Sequence, residues 1–213
     1  MHLFDVDHTI LRGSTGSRFA LAAARAGLIK FRDLAAMPYN FAAYRLGIGG
    51  ISFFDGEFPA IRGLERDVLE ALGREVFEKK TRKALRPRLV ELIASIRAGG
   101  GTVVLATSSL DFIVRPLAEF IGADAVLASS LEYGEGRCTG RMAGAVLFGA
   151  AKLDAVRNYA NGRGAALKDC SFYSDSIHDL PLLLEVGKPV AVNPDRRLRR
   201  EAVARGWEML SGR

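Results

Sequence analysis

Two cysteines, three histidines and no long apolar run mark what this 213-residue chain has little of. Cys138 and Cys170 lie far apart and form no CxxC pair, so the expectation is free thiols in a reducing compartment. His2, His8 and His178 show none of the spacing of a zinc site, HExxH included. No apolar stretch approaches the roughly 20 residues that cross a bilayer. The first one is broken at once by Asp5 and Asp7, unlike the core of a secretory signal. The expected location is therefore the cytoplasm. Internal repeats and low-complexity tracts are absent as well.

What is present suits a globular protein with a substantial core: 49% hydrophobic and 25% charged residues. The length corresponds to about one or one and a half domains. Net charge is +6, a modest positive balance that suits anionic substrates. Part of it sits in RRLRREAVAR, a run of a kind that can meet nucleic acid or an anionic membrane. Leu198, Ala202 and Val203 give that run a buried stripe, so it reads as the solvated face of a last helix. No zinc-finger pattern or aromatic-basic RNA signature accompanies it, and no nucleic-acid partner is expected.

Residues 2–6 read as a short buried strand, and residues 14–98 as almost entirely helical. SRFALAAARAGL has helical apolar spacing and ends at Gly27; FRDLAAMPYNFAAYRLGI is broken at Pro38. LERDVLEALGREVFEKKT is amphipathic, and PRLVELIASIRAGGG carries Pro87 in its first turn. The period then changes. TVVLAT (102–107), AVLAS (125–129), CSFYS (170–174) and PVAVN (189–193) have strand length. Between them lie the helical SSLDFIVRPLAEFIG, AAKLDAVRNYAN and HDLPLLLEVG. LEYGEGRCTGRMAG reads as a glycine-turned hairpin, and WEML as a short edge strand. This alternation predicts an α/β fold with a doubly wound parallel sheet. The helical block of about 85 residues is too long for a crossover. It is expected to be a cap (14–85) inserted into an α/β core (1–13 and 86–213).

In a parallel sheet the C-terminal strand ends share one edge, where ligands bind. Asp5 and Asp7 follow the first strand in LFDVDHTI, Thr107 and Ser108 follow VVLA, and Asp175 follows CSFYS with Asp179 four residues on. Lys152 opens the intervening helix. Neighbouring acids favour Mg²⁺, a hard cation, while Lys152 and the hydroxyls suit phosphoryl oxygens. A metal between carboxylate and phosphate lets one anion attack another. One Asp is then a candidate nucleophile, and its neighbour two residues on is placed to deliver and remove a proton. Singly these features are ordinary: Thr-Ser-Ser after a strand is often only a helix cap. Their joint order carries the chemistry.

The chain resembles, over essentially its whole length, the haloacid dehalogenase superfamily in the branch that includes phosphoserine phosphatases. FDVDHT is similar to its first motif, DxDxT, and VVLATS to its second. Lys152 in AAKLDAV fits the third, YSDSIHDLPLL the fourth, and PVAVNPD the segment beyond it. GEGRCTG is similar to a hairpin of the same branch, and the cap lies between the first and second motifs as expected there. The resemblance implies a Rossmann-like core and a Mg²⁺-dependent phosphatase that works through an aspartyl-phosphate on a small phosphate monoester. It makes Asp5 the nucleophile and Asp7 the general acid, then base. It gives Mg²⁺ the Asp5 carboxylate, the Asp7 carbonyl and Asp175, with Asp179 in or next to the metal shell. Thr107, Lys152 and the Ser108 amide would bind the phosphoryl group.

Two departures bear on substrate. Ser14 stands near the place where phosphoserine phosphatases carry an amine-binding glutamate, and no acid lies between Asp7 and Asp33. His178 stands where many relatives have Asn. Histidinol phosphate, a lipid phosphate, or transfer to an alcohol acceptor remain open alternatives. The apolar LIKFRDLAAMPYNFAAYRLGIGGISFF is either cap packing, a mouth for an apolar substrate or a dimer contact. Arg12, Arg18, Arg45 and Arg62 are candidate anion holders, and monomer and homodimer are both open.

Overall fold

The protein's structure, a computed structural model, describes residues 1–32 and 58–211. In chain order its strands are β1 (His2–Phe4), β2 (Val103–Leu110), β3 (Ala125–Ser129), the hairpin β4 (Leu131–Gly134) and β5 (Arg137–Met142), then β6 (Ser171–Ser174), β7 (Lys188–Val192) and β8 (Glu208–Leu210). The helices are α1 (Thr15–Arg25), α2 (Arg66–Val76), α3 (Pro87–Ala98), α4 (Asp111–Ile121), α5 (Ala150–Asn161), α6 (Leu180–Glu185) and α7 (Arg196–Arg205). Six strands form one parallel sheet in the order β3-β2-β1-β6-β7-β8.

Period-two alternation divides the sheet's side chains between two cores. Phe4, Val103, Leu105, Tyr173, Val190 and Val192 pack with Leu89 and Ile93 of α3 and with Val114 and Leu117 of α4. Leu3, Val104, Ala106, Phe172 and Ala191 pack instead with Val156 of α5, Leu182 and Leu183 of α6, and Leu198 and Ala202 of α7. Helices thus cover both faces, and each fully buried large side chain contributes about 1.5–3 kcal/mol. Phe4 and Tyr173 stack across neighbouring strands with ring centroids 4.3 Å apart.

Helix ends follow local chemistry. Pro87 opens α3, and Asp195 caps α7 by accepting from the Arg197 and Leu198 amides. On α7, Leu198 and Ala202 are buried but Val203 is 64% exposed. The expected three-residue stripe is corrected to two, because position 203 lies roughly 140° around the helix from 198. β1 also stops at Phe4, short of the expected residue 6. The hairpin turns through Glu135 and Gly136, both at positive φ, the conformation of a tight two-residue turn.

A third cluster joins α1 and α2 to the start of α4 and to the hairpin, through Phe19, Leu69, Val76, Phe112, Leu131 and Cys138. The chain enters and leaves this helical segment at one place. Leu11 bridges Leu85 antiparallel, the Arg12 amide donates to Ala84 at 2.8 Å, and the Arg86 amide donates to Ile10 at 2.9 Å. Pro38, Arg45 and most of the apolar stretch singled out in the sequence lie outside the described residues. Cys138 and Cys170 are buried free thiols, and among the described residues no helix is long and apolar enough to cross a membrane.

At Gly187, between α6 and β7, an added Cβ would overlap the Lys168 carbonyl oxygen. The Gly187 amide donates to Leu167 in the same crossing. Gly187→Ala is expected to cost about 1–3 kcal/mol, read as a lowered urea midpoint; an unchanged midpoint would mean that this crossing yields freely.

Candidate active site

β1 lies between β2 and β6, where the chain winds in opposite directions on either side. Such a switch point opens a crevice at the C-terminal strand ends. Asp5 is the first residue past β1 and is 7% exposed; its amide donates to the Tyr173 carbonyl at 2.9 Å. Asp7 is extended, but His8 adopts φ 61°, ψ −15°, which turns the chain sharply. The two acids therefore reach different partners.

Asp5 Oδ1 meets Lys152 Nζ at 3.0 Å, and Thr9 Oγ1 stands 3.2 Å from Asp5 Oδ2. The same Thr9 hydroxyl is 3.2 Å from Asp175 Oδ1 and accepts the Asp175 amide at 3.0 Å. One hydroxyl proton serves only one of two carboxylates. Lys152, 3% exposed, has Asp179 Oδ1 as its second partner at 2.7 Å. Asp179 Oδ2 accepts from Ser174 Oγ at 2.6 Å. Both Asp179 oxygens are thus engaged, and it stands beside the Asp5–Asp175 pair through Lys152.

Burial pushes the Asp5 carboxyl up to about 7, with Lys152 opposing and Asp179 adding to the rise. Burial, then the neighbouring Asp5, pushes Asp175 up to about 8, opposed by the Thr9 hydrogen bond. Burial works against the Lys152 ammonium, but Asp179 and Asp5 more than reverse it and hold its pKa above the ordinary lysine value. The pocket thus sets three acids, Asp5, Asp175 and Asp179, against the Lys152 ammonium shared by Asp5 and Asp179 and the Arg86 guanidinium that faces Asp175. Its donors are oxygens, the chemistry a hard divalent cation takes, so the residues fit Mg²⁺. Among the described residues no three His, Cys, Asp or Glu side chains converge on one point; a set of two carboxylates and the Asp7 carbonyl does not need three.

On the neighbouring strand end, β2 and β3 fall out of step after Ala106. Ala106 pairs with Leu127 and Leu110 with Ser129, so four steps on β2 match two on β3. Thr107, Ser108 and Ser109 form the resulting bulge. β2 thus runs to Leu110 and α4 starts at Asp111, which corrects the expected strand end at 107 and the reading of Ser108 and Ser109 as helix. Thr107 Oγ1 is buried and accepts the Ser109 amide at 3.1 Å, which leaves its proton to donate. Ser129 Oγ donates to the Ser108 carbonyl at 3.0 Å and accepts the Leu147 amide at 3.0 Å, fixing this loop against the segment before α5.

Asp7 has its own donors: the Thr15 amide at 2.8 Å, Ser109 Oγ at 2.8 Å and Thr15 Oγ1 at 3.3 Å. Ser14 caps α1 by accepting the Ser17 amide, and Arg18 donates to the Ser14 and Arg12 carbonyls, so its guanidinium is committed to backbone. His178 sits in the turn after β6 with its ring 4.9 Å from Phe148. Arg86 donates to the His8 carbonyl at 3.3 Å and faces Arg12 and Asp175; burial, then Arg12, lowers its pKa. The sequence reading did not place Thr9, Thr15, Arg86, Ser109, Ser129 or Ser174 in the site. Thr9, Ser109, Ser129 and Ser174 are visible as hydroxyls inside recognised stretches; Thr15 and Arg86 carry no local signal.

A family model described as haloacid dehalogenase-like hydrolase matches residues 2–184. A phosphoserine phosphatase of Mycobacterium tuberculosis is 35% identical over 97% of this chain and 68% of its own. A histidinol-phosphatase of Neisseria meningitidis is 28% identical over 98% of this chain and 97% of its own. Among solved structures, a Bordetella pertussis protein of unknown function superposes with TM-score 0.88 at 29% identity, covering 100% of this chain and 98% of that one. A substrate-bound phosphoserine phosphatase shares the fold with TM-score 0.70 at 19% identity, over 94% of this chain and 89% of that one.

Proposed function

The chain belongs to the haloacid dehalogenase-like hydrolases, and on that premise we propose that it is a Mg²⁺-dependent phosphomonoester hydrolase acting through an aspartyl-phosphate on Asp5. The observation that carries this is the division of labour between two acids two residues apart. Asp5 is buried against Lys152 and Thr9, whereas Asp7 is held separately by Thr15 and Ser109.

Thr107 and Lys152 hold the phosphoryl oxygens, with the Ser108 amide beside them. Mg²⁺, when bound by the Asp5 and Asp175 carboxylates and the Asp7 carbonyl, supplies the positive charge that offsets carboxylate against phosphate. An Asp5 oxygen forms a bond to phosphorus while the bond from phosphorus to the ester oxygen breaks. The electron pair leaves on that oxygen, which takes the Asp7 proton. Asp7 then removes a proton from water as the water oxygen bonds to phosphorus and the Asp5–phosphorus bond breaks. Asp179 anchors Lys152. We take residues 14–85 as the cap over a core of 1–13 and 86–213; the paired linkers at Leu11 and Leu85 support that division. Two buried free thiols support a cytoplasmic setting.

Ser14 is turned onto its own helix and offers no carboxylate to a substrate amine. A phosphoserine preference therefore lacks its usual anchor, while the family's histidinol-phosphatase member matches this chain over nearly its full length. A phosphate-release screen across phosphorylated amino acids, histidinol phosphate, sugar phosphates, nucleotides and lipid phosphates tests the reading. Release from none of them, nor from an aryl phosphate, would refute it.

Metal removal gives a second readout. Asp5 and Asp175 titrate higher in the folded state than in the unfolded chain. Their contribution to stability is therefore present below about pH 4 and is lost as pH rises through about 7 to 8. In chelator, the melting temperature is expected to fall over that window. Mg²⁺, binding the ionised folded site, should restore it by several degrees and restore turnover with it. A chelated protein that is equally stable across the window and fully active would exclude the metal.

A further inference from the structure

We propose that Thr15 and Ser109 form a two-sided clamp that aims the Asp7 carboxylate, making them positioning residues for proton transfer to the leaving group. The inference rests on the phosphatase reading above. Asp7 Oδ1 accepts the Thr15 amide, and Oδ2 accepts the Ser109 hydroxyl, both at 2.8 Å. The Thr15 hydroxyl lies 3.3 Å from Oδ2 and 2.8 Å from Ser109 Oγ, closing a triangle of oxygens.

Each side of the clamp comes from a different part of the fold. Thr15 is the first residue of α1, where backbone amides have no partner within the helix. Ser109 comes from the bulged end of β2 in the core. Ser14 already caps α1, so the helix does not use the Thr15 hydroxyl, yet Thr15 is fully buried. A buried hydroxyl is costly without a partner, and those it has here are Asp7 and Ser109. The amide only donates, whereas the hydroxyls donate or accept. They therefore serve Asp7 both before and after its proton passes to the ester oxygen as the phosphorus–oxygen bond breaks.

The test compares kcat/KM for p-nitrophenyl phosphate, whose phenolate leaves with little help, and for an alkyl phosphate, whose alkoxide needs the proton. This parameter covers steps up to leaving-group departure, and the ratio between the two esters does not depend on how much of a variant is folded. In Thr15→Val and in Ser109→Ala, the alkyl ester is expected to lose about 10–100-fold more than the aryl ester. Thr15→Ser should return most of that difference. Equal losses on both esters, or no return with Thr15→Ser, would overturn the clamp and leave the phosphatase reading standing. Wild-type protein that releases phosphate from neither ester would overturn both.

Discussion

Asp5→Asn is expected to lower phosphate release from an aryl phosphate by at least about 1,000-fold while the protein stays folded. The amide lacks the charge and nucleophilicity to attack phosphorus, and no other carboxylate stands at the end of β1 to replace it. Asp7, two residues on, has its carboxylate engaged by Thr15 and Ser109 instead. Folding should survive because burial already pushes the Asp5 carboxyl up to about 7. A neutral side chain of the same shape avoids that burial penalty, and its oxygen still accepts from Lys152. Thermal melting and single-turnover release, measured together, separate lost chemistry from lost structure. A folded variant that keeps a tenth of wild-type activity would remove Asp5 as the nucleophile.

Lys152→Met should destabilise the protein by about 3–5 kcal/mol and abolish turnover. The ammonium is 3.0 Å from Asp5 and 2.7 Å from Asp179, and all three side chains are buried. Methionine fills the volume but leaves two buried acids without their cation. Asp5 then loses the group that opposes its burial, so its carboxyl rises further and the deficit grows with pH. Lys152→Met/Asp179→Asn should recover part of the stability and none of the activity. Urea midpoints of the wild type, both single variants and the double variant give the coupling directly. No recovery in the double variant would mean that Lys152 does not balance Asp179.

Much of this site was legible because strand ends announce themselves. Each apolar run of strand length stopped at a polar residue, and in a parallel sheet those stops share an edge. Hence Asp5, Thr107 and Asp175 are readable from the residues alone. The bulge at Thr107–Ser109 was not, since register against β3 is set by a partner strand about 20 residues away. Three consecutive hydroxyls look the same in a cap and in a bulge. The partners of Asp7 were hidden for a related reason. Thr15 and Ser109 are 94 residues apart, and nothing local marks either as facing an acid. Asp179 shows the opposite case: its place near the lysine was expected, but its hydrogen bond from Ser174 depends on side-chain direction at the end of β6.

The central position of β1 also bears on how the protein is made. Asp5 is synthesised long before its partners: Lys152 follows by 147 residues, and Asp175 follows Thr9 by 166. A nascent chain holds the nucleophile early but has neither the β6 neighbour of β1 nor the charges that surround the acid. Such long-range pairings form slowly. The helices α1, α2 and α3 are able to form locally on the ribosome, whereas the sheet closes on both sides of β1 only after β6 has emerged. The reactive carboxylate therefore stays in water, ionised and without its lysine, until Lys152 and β6 have been translated.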